Sequence, residues 1–134
     1  MSAAERFLDT NVILHLLSGD DARADRAEKE LTAGGVVSVQ VLNEFAAVAS
    51  RKLKMSIEDI REVLATIRAV CTTVPITEET HDVGLKVAER YGLPVYDAMI
   101  VAAALLSGCK TVMSEDMQDG QIFEGRLAVR NPFR

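Results

Sequence analysis

The sequence predicts an α/β fold, a central parallel sheet of four to five short strands flanked by helices on both faces. Two observations predict it. Apolar runs of three to five residues recur with helical segments between them, and none of these runs alternates polar with apolar residues. Strands covered on one face alternate, whereas strands covered on both read as continuous apolar runs. In such sheets ligands gather beyond the carboxyl ends of the strands, so functional residues are sought there.

The elements follow in order. Residues 6–9 (RFLD) read as the first strand, and Thr10-Asn11 leads into an apolar helical segment over 12–17. Asp20 and Asp21 open a charged helix to about Ala33, closed by Gly34-Gly35, because glycine tolerates the left-handed conformation that ends helices. A second strand over 36–39 precedes a helix over 40–52. Ser56, with a carboxylate three residues later at Asp59, resembles a capping box and starts a helix to about Val70. A third strand covers 72–75. Thr77 caps the next helix, which Gly92 ends with Pro94 shortly beyond. An uninterrupted apolar helix over 98–107 stops at Gly108, and strands over 111–114 and 127–130 complete the pattern.

The 134 residues suit one domain, spanning 1–134, with a single core. With 49% hydrophobic and 26% charged residues the balance is that of an ordinary globule, and with no Trp the core falls to Leu, Val, Ile and Ala. No apolar run approaches the ~20 residues of a membrane span, so no membrane partner is expected. The start, MSAAERFLDTN, lacks a basic patch followed by an apolar stretch, which makes a cytosolic location the expectation. Cys71 and Cys109 stand outside any metal-ligand spacing and read as small buried hydrophobes. The net charge of −5, from 20 acidic and 15 basic residues, argues against a protein that coats phosphates, unless part of the acidity is gathered in one place.

It is gathered. The first strand runs directly into Asp9, and the fourth runs into Glu115 and Asp116. Glu44 lies one turn into the helix after the second strand, and Asp97 opens the apolar helix before the fourth. Singly, each has a plain structural role. Asp9 and Asp97 suit helix starts, and Asp116 sits in SEDMQDG, which passes for a polar turn. Glu44 is harder to explain so. On a helical wheel Val41, Leu42, Phe45, Val48 and Ala49 form an apolar arc, and Glu44 falls at its rim, partly out of water. Arg51, two turns on, is one possible partner.

Together the acids make a stronger case. Two carboxylates about 4 Å apart repel by roughly 4 kcal/mol at an effective dielectric near 20. Four in one cleft require a cation, and hard, oxygen-seeking Mg²⁺ is the natural one, with Mn²⁺ as the second candidate. No His or Cys cluster points to zinc. A metal so held orients and acidifies water and steadies charge on a phosphoryl group, which is the chemistry of phosphodiester hydrolysis.

The same residues carry a resemblance. FLDTNVILHLL, SVQVLNEF, VYDAMIVAAA and VMSEDMQDG, in that order from Arg6 to about Phe133, resemble the PIN-domain family, and within it the VapC-like toxins of type II toxin–antitoxin pairs. The resemblance implies a metal-dependent endoribonuclease leaving a 5′-phosphate, with RNA as substrate and a cognate antitoxin as partner. It maps the catalytic, metal-holding quartet onto Asp9, Glu44, Asp97 and Asp116. Asn11 matches a residue that orients a carboxylate, and Ser114 a small hydroxyl residue that contacts metal-bound water or phosphate. Asp116 is preferred as the fourth acid by its spacing from the strand end, with Asp119 and Glu115 in reserve. Surplus apolar residues at Leu14, Leu16 and Leu17 suit the family's homodimerisation and antitoxin docking.

Other features are weighed against bland roles. Arg51, Lys52 and Lys54 complement a helix C-terminus, or else meet RNA phosphates beside the acids. His15 and His81 adjoin no motif and read as surface or helix-flank residues, too few for a metal-free ribonuclease with a histidine pair. No G-x-S-x-G or phosphate-binding P-loop pattern occurs. A receiver-like phospho-acceptor domain requires paired acids after the first strand and a Lys after the fifth. A dehalogenase-like phosphatase requires Asp at position 11, which is Asn. A PIN-like module that binds RNA or a partner without catalysis, and a PIN nuclease of RNA maturation or decay, remain the alternatives to a toxin.

Overall fold

The computed structural model describes residues 2–134. Six strands form one sheet: β1 (Arg6–Leu8), β2 (Gly35–Ser38), β3 (Cys71–Val74), β4 (Thr111–Met113), β5 (Ile122–Phe123) and β6 (Leu127–Arg130), in the spatial order β3-β2-β1-β4-β6-β5. All pairings are parallel except β5 with β6. Every residue of β2 and β4 is buried, so the sheet is covered on both faces, as the unbroken apolar runs require.

Six helices connect the strands: α1 (Thr10–Leu14), α2 (Asp21–Thr32), α3 (Val39–Arg51), α4 (Ile57–Val70), α5 (Glu78–Tyr91) and α6 (Val95–Leu106). Their ends follow local chemistry. Ser56 accepts a hydrogen bond from the Asp59 amide, Thr77 and Thr80 form a reciprocal box, and Gly92 closes α5 at φ 67°. Ser38 caps α3 through the Val41 amide. α6 is buried continuously from Ala98 to Leu105 and packs closely on α5. Gly84 allows that approach, since a Cβ there would lie 2.4 Å from the Met99 sulfur.

Three expectations are sharpened. The sheet has six strands rather than four to five, because β5 is a two-residue antiparallel edge too short to register as a pattern. The segment after Asp9 is a five-residue helix continuing as a 3₁₀ turn, His15–Leu17. α6 begins at Val95, with Pro94 as its N-cap, so Asp97 sits within the first turn instead of opening the helix. Both cysteines are buried free thiols, and burial pushes Cys109 up to about 11, which makes it unreactive. Among the described residues no helix is long and apolar enough to cross a membrane.

Candidate active site

The chain leaves β1 toward β2 and β3 on one side of the sheet, then returns to place β4 on the other side of β1. This reversal makes the carboxyl ends of β1 and β4 the topological switch point, where α/β sheets open a crevice. Leu8 and Met113 are in register there, and the Asp9 amide donates to the Met113 carbonyl at 3.0 Å. Asp9 and Ser114 therefore face the same opening because the backbone pairing ends at both strands together.

Asp9 is 4% exposed and accepts three side-chain hydrogen bonds. They come from the Thr10 amide at 2.7 Å, the Asn11 Nδ2 at 3.0 Å and the Ser114 hydroxyl at 2.8 Å. The Asn11 amide also donates to Asp116 Oδ2 at 3.1 Å, and its oxygen accepts from the Glu115 amide at 3.0 Å. Asn11 thus ties the loop after β4 to the start of α1, and fixes the distance between Asp9 and Asp116.

The charge balance is unusual. All three of Asp9's donors are neutral, and its charged neighbours Asp97 and Asp116 are acids. Burial pushes the Asp9 carboxyl up to about 6, with Asp97 and Asp116 adding repulsion against the lowering effect of Ser114 and Thr10. Burial also raises Asp97, which feels Asp116, and raises Glu44, which feels Asp97. The four acids thus form a chain of mutual repulsions. Among the described residues no Lys or Arg forms a salt bridge to any of them. Glu44 takes its hydrogen bond from Gln40 Nε2 at 2.9 Å, one turn earlier, rather than pairing with Arg51.

The two reserve acids point elsewhere. Glu115 meets His15 Nε2 at 2.5 Å and Arg23 at 2.6 Å. Burial opposes its ionisation, but those two partners outweigh it and hold the carboxyl below its ordinary range. Asp119 accepts from the Asn131 amide at 2.9 Å and contacts Arg134 at 3.4 Å, fastening the chain's end instead of supporting the acidic cluster. His15 does flank a helix, as the C-cap of α1, but it also packs on Phe133, ring centroids 4.4 Å apart, and joins the Glu115 cluster. His81 is exposed on α5.

A family model described as PIN domain matches residues 6–118. The chain belongs to the PIN-domain family. Its fold is shared with a toxin–antitoxin complex from Klebsiella pneumoniae, at 19% identity over 95% of this chain and 97% of that one, TM-score 0.72. It is shared too with VapC20 of Mycobacterium tuberculosis, a sarcin–ricin loop cleaving toxin, at 20% identity over 83% and 91% of the chains, TM-score 0.66. FitAcB from Neisseria gonorrhoeae is similar at 20% identity over 96% and 98%, TM-score 0.67. No curated protein matches the chain.

The donor set of this PIN domain is oxygen: carboxylates, the Asn11 amide and the Ser114 hydroxyl. Among the described residues no three His, Cys, Asp or Glu side chains stand close enough to hold one ion unaided. Such a set fits a hard cation that keeps several waters and takes one or two carboxylates, as Mg²⁺ does, and does not fit a closed all-protein cage. The sequence does not single out Thr10, next to Asp9 in the chain, whose hydroxyl is buried with no hydrogen-bond partner among the described residues. Nor does it single out Arg23 and Phe133, which meet Glu115 and His15 across about a hundred residues of sequence, a separation no local pattern reports.

Proposed function

We propose that this protein is a metal-dependent endoribonuclease, the toxin of a type II toxin–antitoxin pair, working in the cytosol on RNA. PIN membership and the fold shared with a toxin–antitoxin complex and with a toxin support the class. A neighbour that cleaves the sarcin–ricin loop supports RNA as substrate. The observation that carries the proposal is Asp9, buried at the switch point with neutral hydrogen-bond donors and no cation, beside half-buried Asp97 and Glu44 and exposed Asp116. A fold that keeps one carboxylate buried without a counter-cation, with three more acids around it, keeps them for a ligand of positive charge.

Bound there, Mg²⁺ or Mn²⁺ supplies an acidified water and neutralises charge on the phosphoryl group. The chain's own residues position it. Asn11 and Ser114 orient Asp9, Asn11 sets Asp116 against it, and Asp97 faces both from α6. Lys52 and Lys54, beyond the end of α3, are exposed and suited to flanking phosphates, as is Arg51. The antitoxin is a protein partner, and Leu14, Leu16 and Leu17, half-buried in the monomer, are the surface offered to it and to a second copy in a homodimer.

The test is cleavage of an RNA panel with Mg²⁺ and Mn²⁺ by wild type and Asp97→Asn. Wild type cleaves only with metal, and the variant loses about two orders of magnitude or more in rate while its fold and melting persist. Full activity in the variant would overturn the assignment. The lack of a ready-made three-acid group favours one alternative, a catalytically silent RNA- or partner-binding module. Binding of RNA without cleavage under either metal would establish that instead.

A further inference from the structure

A cleft of about 370 Å³ runs along α3 beside the acidic cluster, with Gln40, Asn43, Glu44, Ala47 and Arg51 from α3 and Tyr96 from α6 around it. That size lies at the lower end of small-ligand sites. The α3 residues recur at helical spacing, so one stripe of the helix forms the wall, with Glu44 on the side of the acids and Arg51 about 10 Å further along. Tyr96 closes the cleft from the first turn of α6, immediately before Asp97.

The two tyrosines of the chain differ sharply. Tyr91 packs edge-on against Phe123 at 4.9 Å, and its hydroxyl accepts from the Glu124 amide at 2.9 Å. Tyr96 is 66% exposed, and among the described residues its side chain has no hydrogen-bond or ring partner. The Asn43 amide and the Arg51 guanidinium are also without side-chain hydrogen bonds or ion pairs among the described residues, and both lie in the same cleft. A flat ring, a free amide and a free guanidinium beside a carboxylate cluster are the parts of a nucleotide site: a stacking surface, a base-edge partner and a phosphate contact. An isolated exposed apolar residue needs no explanation, but Tyr96 is not isolated.

We propose that this cleft is a base subsite for single-stranded RNA, in which the Tyr96 ring stacks on an unpaired base next to the scissile phosphate. Asn43 meets the edge of that base and Arg51 its flanking phosphate. The inference rests on the ribonuclease reading and adds to it a base subsite and the residue that stacks in it. A base held there lies between the acids and Arg51, so it sets which phosphate reaches the acidic cluster.

The experiment uses the full chain and a fluorescein-labelled single-stranded RNA of 12 nucleotides, without divalent metal so that binding is read apart from cleavage. Tyr96→Ala weakens binding by about tenfold, in line with the loss of one base–aromatic stack, with an unchanged melting temperature and an unchanged salt slope. Tyr96→Trp retains the affinity. Because the chain has no Trp, this variant carries a single indole, whose emission is quenched when RNA binds. A blunt RNA duplex shows no difference between Tyr96→Ala and wild type. Wild-type affinity in Tyr96→Ala, or an unquenched indole, overturns the subsite and leaves the exposed ring to a protein partner. Metal-dependent cleavage by wild type, run in parallel, separates the two readings: cleavage with an unaffected Tyr96→Ala removes the subsite alone, whereas a wild type that neither binds nor cleaves RNA removes both.

Discussion

Glu30, on α2, and Asp9 are buried acids at opposite ends of β1. Glu30 meets Arg6, the first residue of β1, and Asp9 follows Leu8, the last. Both are nearly inaccessible, at 7% and 4% exposure. Glu30 has Arg6 at 2.8 Å and Arg26 at 3.5 Å, and Arg6 also donates to the Gly34 carbonyl. Asp9 has only neutral donors and two acidic neighbours. The fold therefore has the means to neutralise a buried carboxylate within 10 Å or so of chain, and at the carboxyl end of β1 it does not use them. The difference separates an acid kept for stability from one kept for a ligand.

Breaking the paired end has the largest expected effect. Arg6→Met leaves Glu30 buried without its nearest cation and lowers stability by about 3 kcal/mol or more, measured by urea unfolding. At the unpaired end the sign is opposite. Asp9 is raised from 3.8 to about 6, so its contribution to stability is fully present below about pH 4 and is lost as the pH rises through about 6. The difference in unfolding free energy between wild type and Asp9→Asn, without metal, shifts against wild type by about 3 kcal/mol across that window. Asp97 and Glu44, raised in the same direction, add to the trend in wild type.

Metal sharpens the comparison at a smaller scale. Mg²⁺ or Mn²⁺ at ten times its dissociation constant stabilises wild type by about 1.4 kcal/mol, more at pH 7 than at pH 5, and less in Asp97→Asn. Calorimetric melting reads this directly, and a metal-independent melting temperature contradicts it. The smallest effect on stability is at the basic cluster. Replacing Lys52 and Lys54 by Gln changes unfolding free energy by under about 0.5 kcal/mol, while the salt dependence of RNA binding flattens by about one for each lost phosphate contact.

Much of this was legible in the sequence because the signals are local. Unbroken apolar runs marked the covered strands, and Ser56, Thr77 and Gly92 marked helix ends through caps that depend on three or four adjacent residues. Asp9, Ser114 and Asp116 stood out because each sits where a strand runs out, and Glu44 because it interrupts the rim of an apolar face. What escaped depends on distance. β5 exists only through its pairing with β6, and Glu115 is distinguished from Asp116 only by His15 and Arg23, which reach it from the other end of the chain. Three acids within five residues look alike in sequence; their partners tell them apart in space. The start of α6 was misplaced because Pro94 and Asp97 both carry helix-start chemistry, and the proline governs.

The central claim is that Asp9 is buried without a compensating charge until a cation arrives. The most direct measurement is the titration of the Asp9 carboxyl by carbon NMR, assigned with Asp9→Asn, in metal-free protein and again with Mg²⁺ and, separately, with Ca²⁺, both diamagnetic. The account predicts a midpoint at about 6 without metal, and a fall below the ordinary carboxylate range when the ion binds. A metal-free midpoint near 3.8, unmoved by either ion, would contradict it.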